Sequence, residues 1–359
     1  MSHPARYWIP QEDSQRIICQ VCPRECTLSD GQRGFCYTRA NEGGRLILSG
    51  YGRLIGLCGD PIEKKPLNHF LPGTGVLSFG TAGCNLGCKF CQNWDMSKAR
   101  DLDRASRYVS PEQLPQLARE HHCRSVAFTY NDPTIFIEYA IDVANACHEE
   151  DIRTVAVTAG YIQGKAREEL YAHMDAANID LKGFSESFYQ HNCLATLEPV
   201  LDTLKYVKHE TDTWLEVTTL IIPDENDSEA ELQEQAEWLM ENLGPDTPIH
   251  FTAFHPDYKM IDKSHTPAAS LRKAYDIARR CGLQYVYVGN IHDATRSSTY
   301  CHHCGELLIS RDWYQMGTFN LDVDRCRFCD TPVSGVFLET GLGDYGAERH
   351  PLRMREEKW

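Results

Sequence analysis

The chain has 359 residues, which is enough for one large α/β domain with smaller appendages. Hydrophobic residues make up 42% of the sequence and charged residues 24%, the composition of an ordinary folded protein rather than of a disordered one. The formal net charge of −15 argues against a general nucleic-acid-binding surface, because such a surface needs clustered Lys and Arg to displace counterions from phosphates.

The sequence offers no apolar stretch that would direct or anchor the chain at a membrane. The hydrophobic region of a secretory signal is missing from the N-terminal sequence MSHPARYWIPQED. No run approaches the ~18 apolar residues of a membrane span. We therefore expect a cytoplasmic protein without a membrane partner. In a compartment that keeps thiols reduced, 16 cysteines indicate metal binding rather than disulfide bonds.

Four cysteines lie close together near the N-terminus, and their spacing is consistent with a four-thiolate metal site. They are Cys19, Cys22, Cys26 and Cys36. Both a zinc ion and an auxiliary iron–sulfur cluster accept four thiolates, and the loose spacing does not distinguish the two. Zinc, an auxiliary cluster and simple disorder of this segment all stay open as interpretations.

The middle of the chain alternates short β-branched runs with amphipathic helical stretches. The runs predict strands at residues 76–80, 125–129, 154–158, 178–181, 215–221, 249–254 and 285–289. This alternation predicts βα units and a parallel sheet. We expect an α/β fold, a partial (β/α)6 TIM-like barrel, with active-site residues at the carboxyl ends of its strands.

The loop after the first of these strands carries a compact cysteine motif. Cys84, Cys88 and Cys91 have the spacing C-x3-C-x2-C. A [4Fe–4S] cluster with complete cysteine ligation needs four thiolates, so a three-cysteine loop leaves one iron open to another ligand. The alternatives are a zinc loop or three unrelated thiols. Zinc sites usually combine two C-x2-C pairs, and no fourth ligand is near in the sequence.

With Phe90 before its last cysteine, this motif resembles the signature of the radical S-adenosylmethionine (SAM) superfamily. The resemblance implies a [4Fe–4S] cluster whose open iron chelates the amino and carboxylate groups of SAM. It also implies reductive cleavage of SAM to a 5′-deoxyadenosyl radical that abstracts a hydrogen from a substrate. Such chemistry needs a one-electron reductant, such as ferredoxin or flavodoxin.

Further along the sheet, the strand ends are similar to those of pyruvate formate-lyase activating enzymes. In the parallel sheet their side chains face the mouth of the barrel. The resemblance implies contacts with SAM or the substrate for Asn131, Asp132, Thr158, Gly160, Asp180, Lys182 and His250.

Structural interpretations of the same residues stay open. The pair Asp132-Pro133 also fits a helix N-cap followed by proline at the first helical position. Asp180 and Lys182 have the period-two spacing of an ion pair at a sheet end. A histidine on a strand, such as His250, is more often a packed, hydrogen-bonded residue than a catalyst.

Two C-x2-C pairs near the C-terminus are typical of a zinc ribbon or a rubredoxin-like site. They consist of Cys301 with Cys304 and of Cys326 with Cys329. A closed four-thiolate site would stabilise a small module, and an auxiliary iron–sulfur cluster is the alternative. We therefore divide the chain into a cysteine-rich N-terminal segment (1–66), a core barrel (67–295) and a zinc-ribbon-like module with a tail (296–359).

Taken over nearly its full length, the sequence resembles the radical SAM member of the AmmeMemoRadiSam system. The shared features are the N-terminal cysteines ending in GQRGFC, the stretch DPIEKKPL, the signature loop and the C-terminal cysteine pairs. The resemblance implies partner proteins encoded by neighbouring genes, but it does not fix the substrate. Two alternatives stay open, an activating enzyme that acts on a glycyl-radical partner protein and a non-catalytic zinc-binding scaffold.

Overall fold

A computed structural model describes residues 3–12, 15–100 and 107–352 of the chain. Its N-terminal part forms two small antiparallel sheets. Their strands are β1 (His3–Pro4), β2 (Trp8–Pro10), β3 (Ile17–Cys19), β4 (Thr27–Leu28), β5 (Arg39–Glu42) and β6 (Arg45–Leu48). The strand orders are β1-β6-β5 and β2-β3-β4. The second sheet places Cys19 beside Cys26, whose carbonyl oxygen accepts a hydrogen bond of 3.0 Å from the Cys19 amide.

The core of the protein is a larger sheet whose parallel strands follow one another in sequence order. Its strands are β7 (Arg53–Pro61), β8 (Gly75–Gly80), β9 (Arg107–Tyr108), β10 (Cys123–Phe128), β11 (Arg153–Thr158), β12 (Ala176–Asp180), β13 (Trp214–Ile221), β14 (Ile249–Ala253) and β15 (Val286–Gly289). Seven of them, β8 and β10 to β15, pair in parallel. β7 pairs antiparallel with β8 and β9.

Helices connect the parallel strands. They are α1 (Trp94–Ser97), α2 (Gln113–Glu120), α3 (Ile137–Glu149), α4 (Gly164–Tyr171), α5 (Glu186–Phe188), α6 (Glu198–Glu210), α7 (Glu229–Leu243), α8 (Ala268–Arg280) and α9 (Ala294–Ser297). Short 3-10 helices span Ile62–Lys64 and Pro133–Phe136, and a π-helical turn spans Tyr189–Cys193. Each long helix covers the sheet with one apolar face.

Helix α7 illustrates how the sequence sets these elements. The Ser228 hydroxyl accepts a hydrogen bond from the Glu231 amide and caps the helix. Its buried side chains include Leu232, Ala236 and Leu239, which recur at helical spacing on one face. Gly244, with a φ of +86°, ends the helix in a conformation that other residues rarely adopt. Local signals therefore determine where this helix begins, ends and packs.

The predicted α/β fold with a parallel sheet is confirmed, and each of the seven predicted core strands is present with small differences at its ends. The number of strands in the predicted partial (β/α)6 barrel needs a correction, because the sheet contains seven parallel strands rather than six. In the described part of the chain the terminal parallel strands β8 and β15 do not pair with each other, so the sheet is open, as in a partial barrel.

The C-terminal module consists of β16 (Thr299–Tyr300), β17 (Leu307–Asp312), β18 (Gln315–Phe319), β19 (Leu321–Asp322) and β20 (Arg325–Cys326). After it, β21 (His350–Pro351) returns to the core and pairs antiparallel with β7. β7 itself falls within the range 1–66, yet its hydrogen bonds make it part of the main sheet. The three-domain division stays a prediction, and residues 353–359 of the expected tail lie outside the described residues.

Within the ranges that the structure covers, no helix is both long enough and apolar enough to cross a membrane.

Candidate functional site

A cavity of about 420 Å³ lies at the carboxyl ends of the parallel strands. The three signature cysteines line it, together with residues on or just after β10 to β14. The predicted site residues among them are Asn131, Asp132, Thr158, Asp180, Lys182 and His250. Because the carboxyl ends of parallel strands meet at one edge of a sheet, residues far apart in the sequence come together here. Gly160 is the one predicted cofactor-contacting residue that does not line the cavity.

Cys84, Cys88 and Cys91 face the cavity from one loop, with Cys88 buried and the other two half-buried. Their sulfur atoms are not gathered around a single point. Among the described residues, the C-terminal cysteines alone bring three or more ligand atoms within 4.8 Å of one another. Four sulfurs around one zinc ion, at the usual Zn–S distance, stand only ~3.8 Å apart. The wider spacing fits thiolates that each bind a different iron of a cluster.

The side chain of Asn131 holds the signature loop in place. Its amide nitrogen donates to the Thr81 hydroxyl at 3.0 Å and to the Gly83 carbonyl at 2.9 Å, and its oxygen accepts from the Thr81 amide at 3.2 Å. Gly80 makes this contact possible, because a Cβ atom there would lie 2.8 Å from the Asn131 oxygen. A side-chain amide, with both donors and an acceptor, is required at residue 131 to satisfy all three bonds.

Asp132 is buried, and its carboxylate is occupied by hydrogen bonds within the protein. It accepts from the Thr134 amide at 3.0 Å, from the Thr158 hydroxyl at 3.0 Å and from the Ala159 amide at 2.9 Å. The interpretation of Asp132 as an N-cap is therefore confirmed. Gly160, with a φ of +65°, donates its amide to Thr158, so it builds this turn from behind the cavity wall. Contacts of these residues with SAM stay predictions.

Asp180 and Lys182 form an ion pair, which was the structural alternative for these two residues, with 2.8 Å between carboxylate and ammonium, and both line the cavity. Burial disfavours the Lys182 ammonium, but the Asp180 carboxylate outweighs it and raises the pKa of Lys182 well above its usual value. The Cys193 thiol, hydrogen-bonded to Cys88, lowers the pKa of Cys88, and the charge of Lys182 acts in the same direction. A charged lysine next to this sulfur favours its thiolate form.

His250 lies 2.6 Å from the Glu216 carboxylate and is almost fully buried. Glu216 also accepts backbone hydrogen bonds from Asn68 at 2.9 Å and His69 at 2.7 Å. Burial opposes ionisation of Glu216, but its hydrogen bonds to His250 and to the Asn68 amide keep the pKa of Glu216 below the usual value. The interpretation of His250 as a packed, hydrogen-bonded residue is confirmed, although the residue also lines the cavity.

Sequence reasoning missed a charged cluster on another wall of the cavity. The buried Asp60 carboxylate forms ion pairs with the Lys65 ammonium at 2.6 Å and the Arg349 guanidinium at 2.8 Å. It also accepts a hydrogen bond of 3.1 Å from the Tyr130 hydroxyl. The last three residues line the cavity, as does Lys64. Asp60 and both lysines belong to the stretch DPIEKKPL, which was noted without a role. Nothing in the sequence signals Arg349, which reaches Asp60 from the far end of the chain.

The C-terminal cysteines form a compact four-sulfur group. Cys301 and Cys329 have their sulfurs 3.6 Å apart, Cys304 and Cys326 have theirs 3.7 Å apart, and all four lie within 4.8 Å of one another. These separations match the ~3.8 Å expected around one tetrahedral ion. The module also extends to the cavity, where it contributes the side chains of Arg311, Trp313 and Tyr314.

The N-terminal cysteines lie apart from the cavity. Cys19, Cys22, Cys26 and Cys36 line a separate small pocket, which Asn85 of the signature loop also lines. This segment forms strands β2 to β6, so the interpretation that it is disordered is wrong.

Comparison with known sequences matches part of the chain to a protein family. The model of the Radical SAM superfamily matches residues 79–236. An uncharacterized protein of Methanocaldococcus jannaschii is 41% identical over 326 residues, 90% of this chain and 97% of that protein. The pyruvate formate-lyase-activating enzyme of Clostridium pasteurianum is 25% identical over 211 residues, 53% of this chain and 84% of that enzyme.

Two solved structures show a more distant likeness. A radical SAM methyltransferase from Sphaerobacter thermophilus gives a TM-score of 0.49 at 14% identity, over 85% of this chain and 81% of that chain. A domain of a pyruvate-formate lyase-activating enzyme from Bacteroides vulgatus gives 0.40 at 19% identity, over 46% of this chain and 99% of that domain.

Proposed function

We propose that this chain, whose residues 79–236 match the model of the Radical SAM superfamily, is an enzyme that cleaves SAM reductively and uses the resulting 5′-deoxyadenosyl radical to abstract a hydrogen from a substrate. One observation carries the proposal. Cys84, Cys88 and Cys91 line the strand-end cavity from one loop, with sulfurs too far apart for a single ion. A bound [4Fe–4S] cluster would supply an iron free of cysteine that chelates SAM and an electron that generates the 5′-deoxyadenosyl radical.

The protein's own residues prepare the cavity for this chemistry. Asn131 fixes the signature loop through three hydrogen bonds, so the cysteines are held in position before any ligand binds. Lys182 places a positive charge beside Cys88 and at the cavity wall, where a carboxylate of SAM or of the substrate would be stabilised. A cavity of about 420 Å³ is within the ordinary range for small-molecule sites.

The cationic wall supports a substrate that carries an anionic group. Lys64, Arg311 and Arg349 line the cavity together with Lys182. Arg349 and Lys182 each have a carboxylate partner, whereas no ion pair involving Lys64 or Arg311 is found in the described part of the chain. An anionic small molecule or peptide would neutralise these charges.

A second candidate function is activation of a partner protein by formation of a glycyl radical. The 25% identity with a pyruvate formate-lyase-activating enzyme supports it. The order of the cysteine motifs along the whole chain supports the finer assignment to the AmmeMemoRadiSam system, with partner proteins encoded nearby and a ferredoxin or flavodoxin as reductant. Transfer of deuterium from labelled partner protein or from labelled metabolites into 5′-deoxyadenosine would separate the two functions.

For the C-terminal module we propose one structural zinc ion bound by Cys301, Cys304, Cys326 and Cys329. Sulfur separations of 3.6 and 3.7 Å support a single tetrahedral ion over an auxiliary iron–sulfur cluster, whose thiolates would lie on different irons. Zinc is favoured among single ions because it is the usual partner of paired C-x2-C motifs.

The test is anaerobic reconstitution with iron and sulfide, followed by addition of dithionite and SAM. We expect 5′-deoxyadenosine from the wild type, detected by chromatography, and none from Cys88→Ala. The matched control is Cys281→Ala, which removes a half-buried thiol at the end of α8 and should leave the yield unchanged. Equal yields from Cys88→Ala and the wild type, or zinc at every cysteine site, would overturn the proposal in favour of a non-catalytic scaffold.

A further inference from the structure

We propose that Cys19, Cys22, Cys26 and Cys36 bind a second [4Fe–4S] cluster, with a cysteine on every iron, directly beside the signature loop. The proposal goes beyond the proposed function and does not depend on SAM cleavage. It resolves the choice between zinc and a cluster that the spacing in the sequence leaves open.

The fold brings the four thiols to one pocket from three separate places. The backbone hydrogen bond between Cys19 and Cys26 joins β3 to the start of β4, and Cys22 lies in the turn between them. Cys36 comes from the following loop, where its sulfur lies 3.6 Å from the Thr38 hydroxyl. All four residues line the same pocket, so the fold brings the four cysteines together around one space.

The spacing of the sulfurs identifies the kind of metal group. If the four thiolates bound one ion, they would gather within 4.8 Å as the C-terminal four do, but in the described residues no three of them come that close. Cys84, Cys88 and Cys91 likewise line one cavity without bringing their three sulfurs within 4.8 Å of one another. Within one molecule, the two kinds of cysteine site therefore differ clearly. The N-terminal site belongs with the cluster type.

The surroundings of the pocket suit a buried, negatively charged cluster. Val21, Leu28 and Ile135 line it and exclude water from the sulfurs. The Arg39 guanidinium also lines it and is 2% exposed, with an ion pair to the buried Glu138. Four thiolates around a cluster carry excess negative charge, and a fixed guanidinium beside them lowers the cost of burying that charge.

The pocket shares a wall with the signature loop. Asn85, the residue after Cys84, lines the pocket, and its carbonyl oxygen accepts a hydrogen bond from Arg24, which lies between Cys22 and Cys26 in the sequence. The carbonyl of Cys36 packs against Gly83, immediately before Cys84. A cluster with cysteine on all four irons has no open position for SAM, so its chemistry is electron exchange. Its place next to the signature loop suits that role.

The decisive experiment replaces the three signature cysteines and measures the iron and sulfide that stay bound. The triple variant C84A/C88A/C91A, reconstituted anaerobically with iron and sulfide, should retain about four iron and four sulfide per chain, against about eight of each in the wild type. After dithionite reduction the variant should show the electron paramagnetic resonance signal of a reduced [4Fe–4S] cluster. Beyond the one zinc expected at the C-terminal module, binding of a single iron or a second zinc without sulfide, or of no further metal at all, would overturn the proposal.

A complementary variant guards against misfolding as an explanation. C22A/C26A removes the two half-buried ligands and should lose about four iron while retaining about four at the signature loop. Retention of zinc by the C-terminal module would show that the fold persists. If C22A/C26A kept the full wild-type iron and sulfide, the N-terminal site would not be a cluster site. Because these counts do not use SAM, failure of SAM cleavage would leave them interpretable.

Discussion

The carbonyl oxygen of Cys36 occupies the space that a Cβ atom would need at Gly83, so the N-terminal cysteine segment packs directly on the signature loop. Gly83 also has a φ of +89°, a conformation that strains other residues. This contact couples the N-terminal segment to the loop that carries Cys84, Cys88 and Cys91.

We therefore expect Gly83→Ala to lower the iron content and the thermal midpoint of the protein. The matched control is Gly31→Ala, since Gly31 has a φ of +75° but nothing within 4 Å of its missing Cβ. Both variants carry a backbone strain of roughly 1–2 kcal/mol, but only Gly83→Ala adds a clash with backbone. Equal losses in the two variants, measured by iron analysis and calorimetry, would show that the contact with Cys36 has no consequence.

The positive charge of Lys182 should set the redox potential of the signature cluster. Replacement by Gln removes a cation next to Cys88 and leaves Asp180 unpaired. Because a nearby cation stabilises the reduced, more negative cluster, we expect the midpoint potential to fall by about 50 mV in Lys182→Gln. The measurement is a redox titration followed by electron paramagnetic resonance.

The control for this change is Lys205→Gln on α6, an exposed lysine paired with Asp202 at 3.1 Å. Its potential should equal that of the wild type. An unchanged or higher potential in Lys182→Gln would show that the Lys182 charge does not reach the cluster.

Loss of the C-terminal metal should affect the cavity as well as the module. Cys301→Ser removes one thiolate of the four-sulfur group, and β17 of the same module carries Arg311, whose guanidinium donates to the Asn68 carbonyl at 2.7 Å. We expect the variant to lose about one zinc per chain, to unfold at a lower temperature and to bind SAM or substrate more weakly, with its iron content unchanged. Cys281→Ser serves as the control. Loss of iron with zinc retained would contradict this assignment.

The buried His69 should make the protein sensitive to mild acid. Its Nδ1 lies 2.6 Å from the Ser334 carbonyl, to which it must donate, and its Nε2 lies 2.5 Å from the Tyr287 hydroxyl, from which it accepts when neutral. Burial lowers the pKa of His69 to about 4, against about 6.5 in an unfolded chain. Between these values only the unfolded chain takes up the proton. The free energy of unfolding should therefore decrease as the pH falls from about 6.5 to 4, by at most about 3 kcal/mol.

Urea denaturation across this pH range tests the prediction. His69→Gln should be less stable than the wild type at neutral pH, but its midpoint should fall less steeply on acidification. The exposed His265→Gln is the control and should keep the wild-type slope. Parallel slopes for His69→Gln and the wild type would show that another group causes the acid sensitivity.

Local spacing along the chain was enough to predict several parts of the protein. The alternation of β-branched runs and helical segments predicted the seven core strands, since side-chain periodicity is a property of neighbouring residues. The x3 and x2 spacing of Cys84, Cys88 and Cys91 similarly predicted one loop facing the strand-end cavity. The two local C-x2-C pairs, Cys301 with Cys304 and Cys326 with Cys329, predicted a compact four-sulfur group.

The contacts between distant segments, in contrast, became known from the three-dimensional fold. It engaged the Asp132 carboxylate with Thr158, gave Asp60 a partner in Arg349, and left the sheet open between β8 and β15. It also separated a compact four-sulfur group from an expanded one, although both sets consist of four cysteines. Packing between segments remote in sequence sets these distances. Spacing along the chain restricts them only weakly.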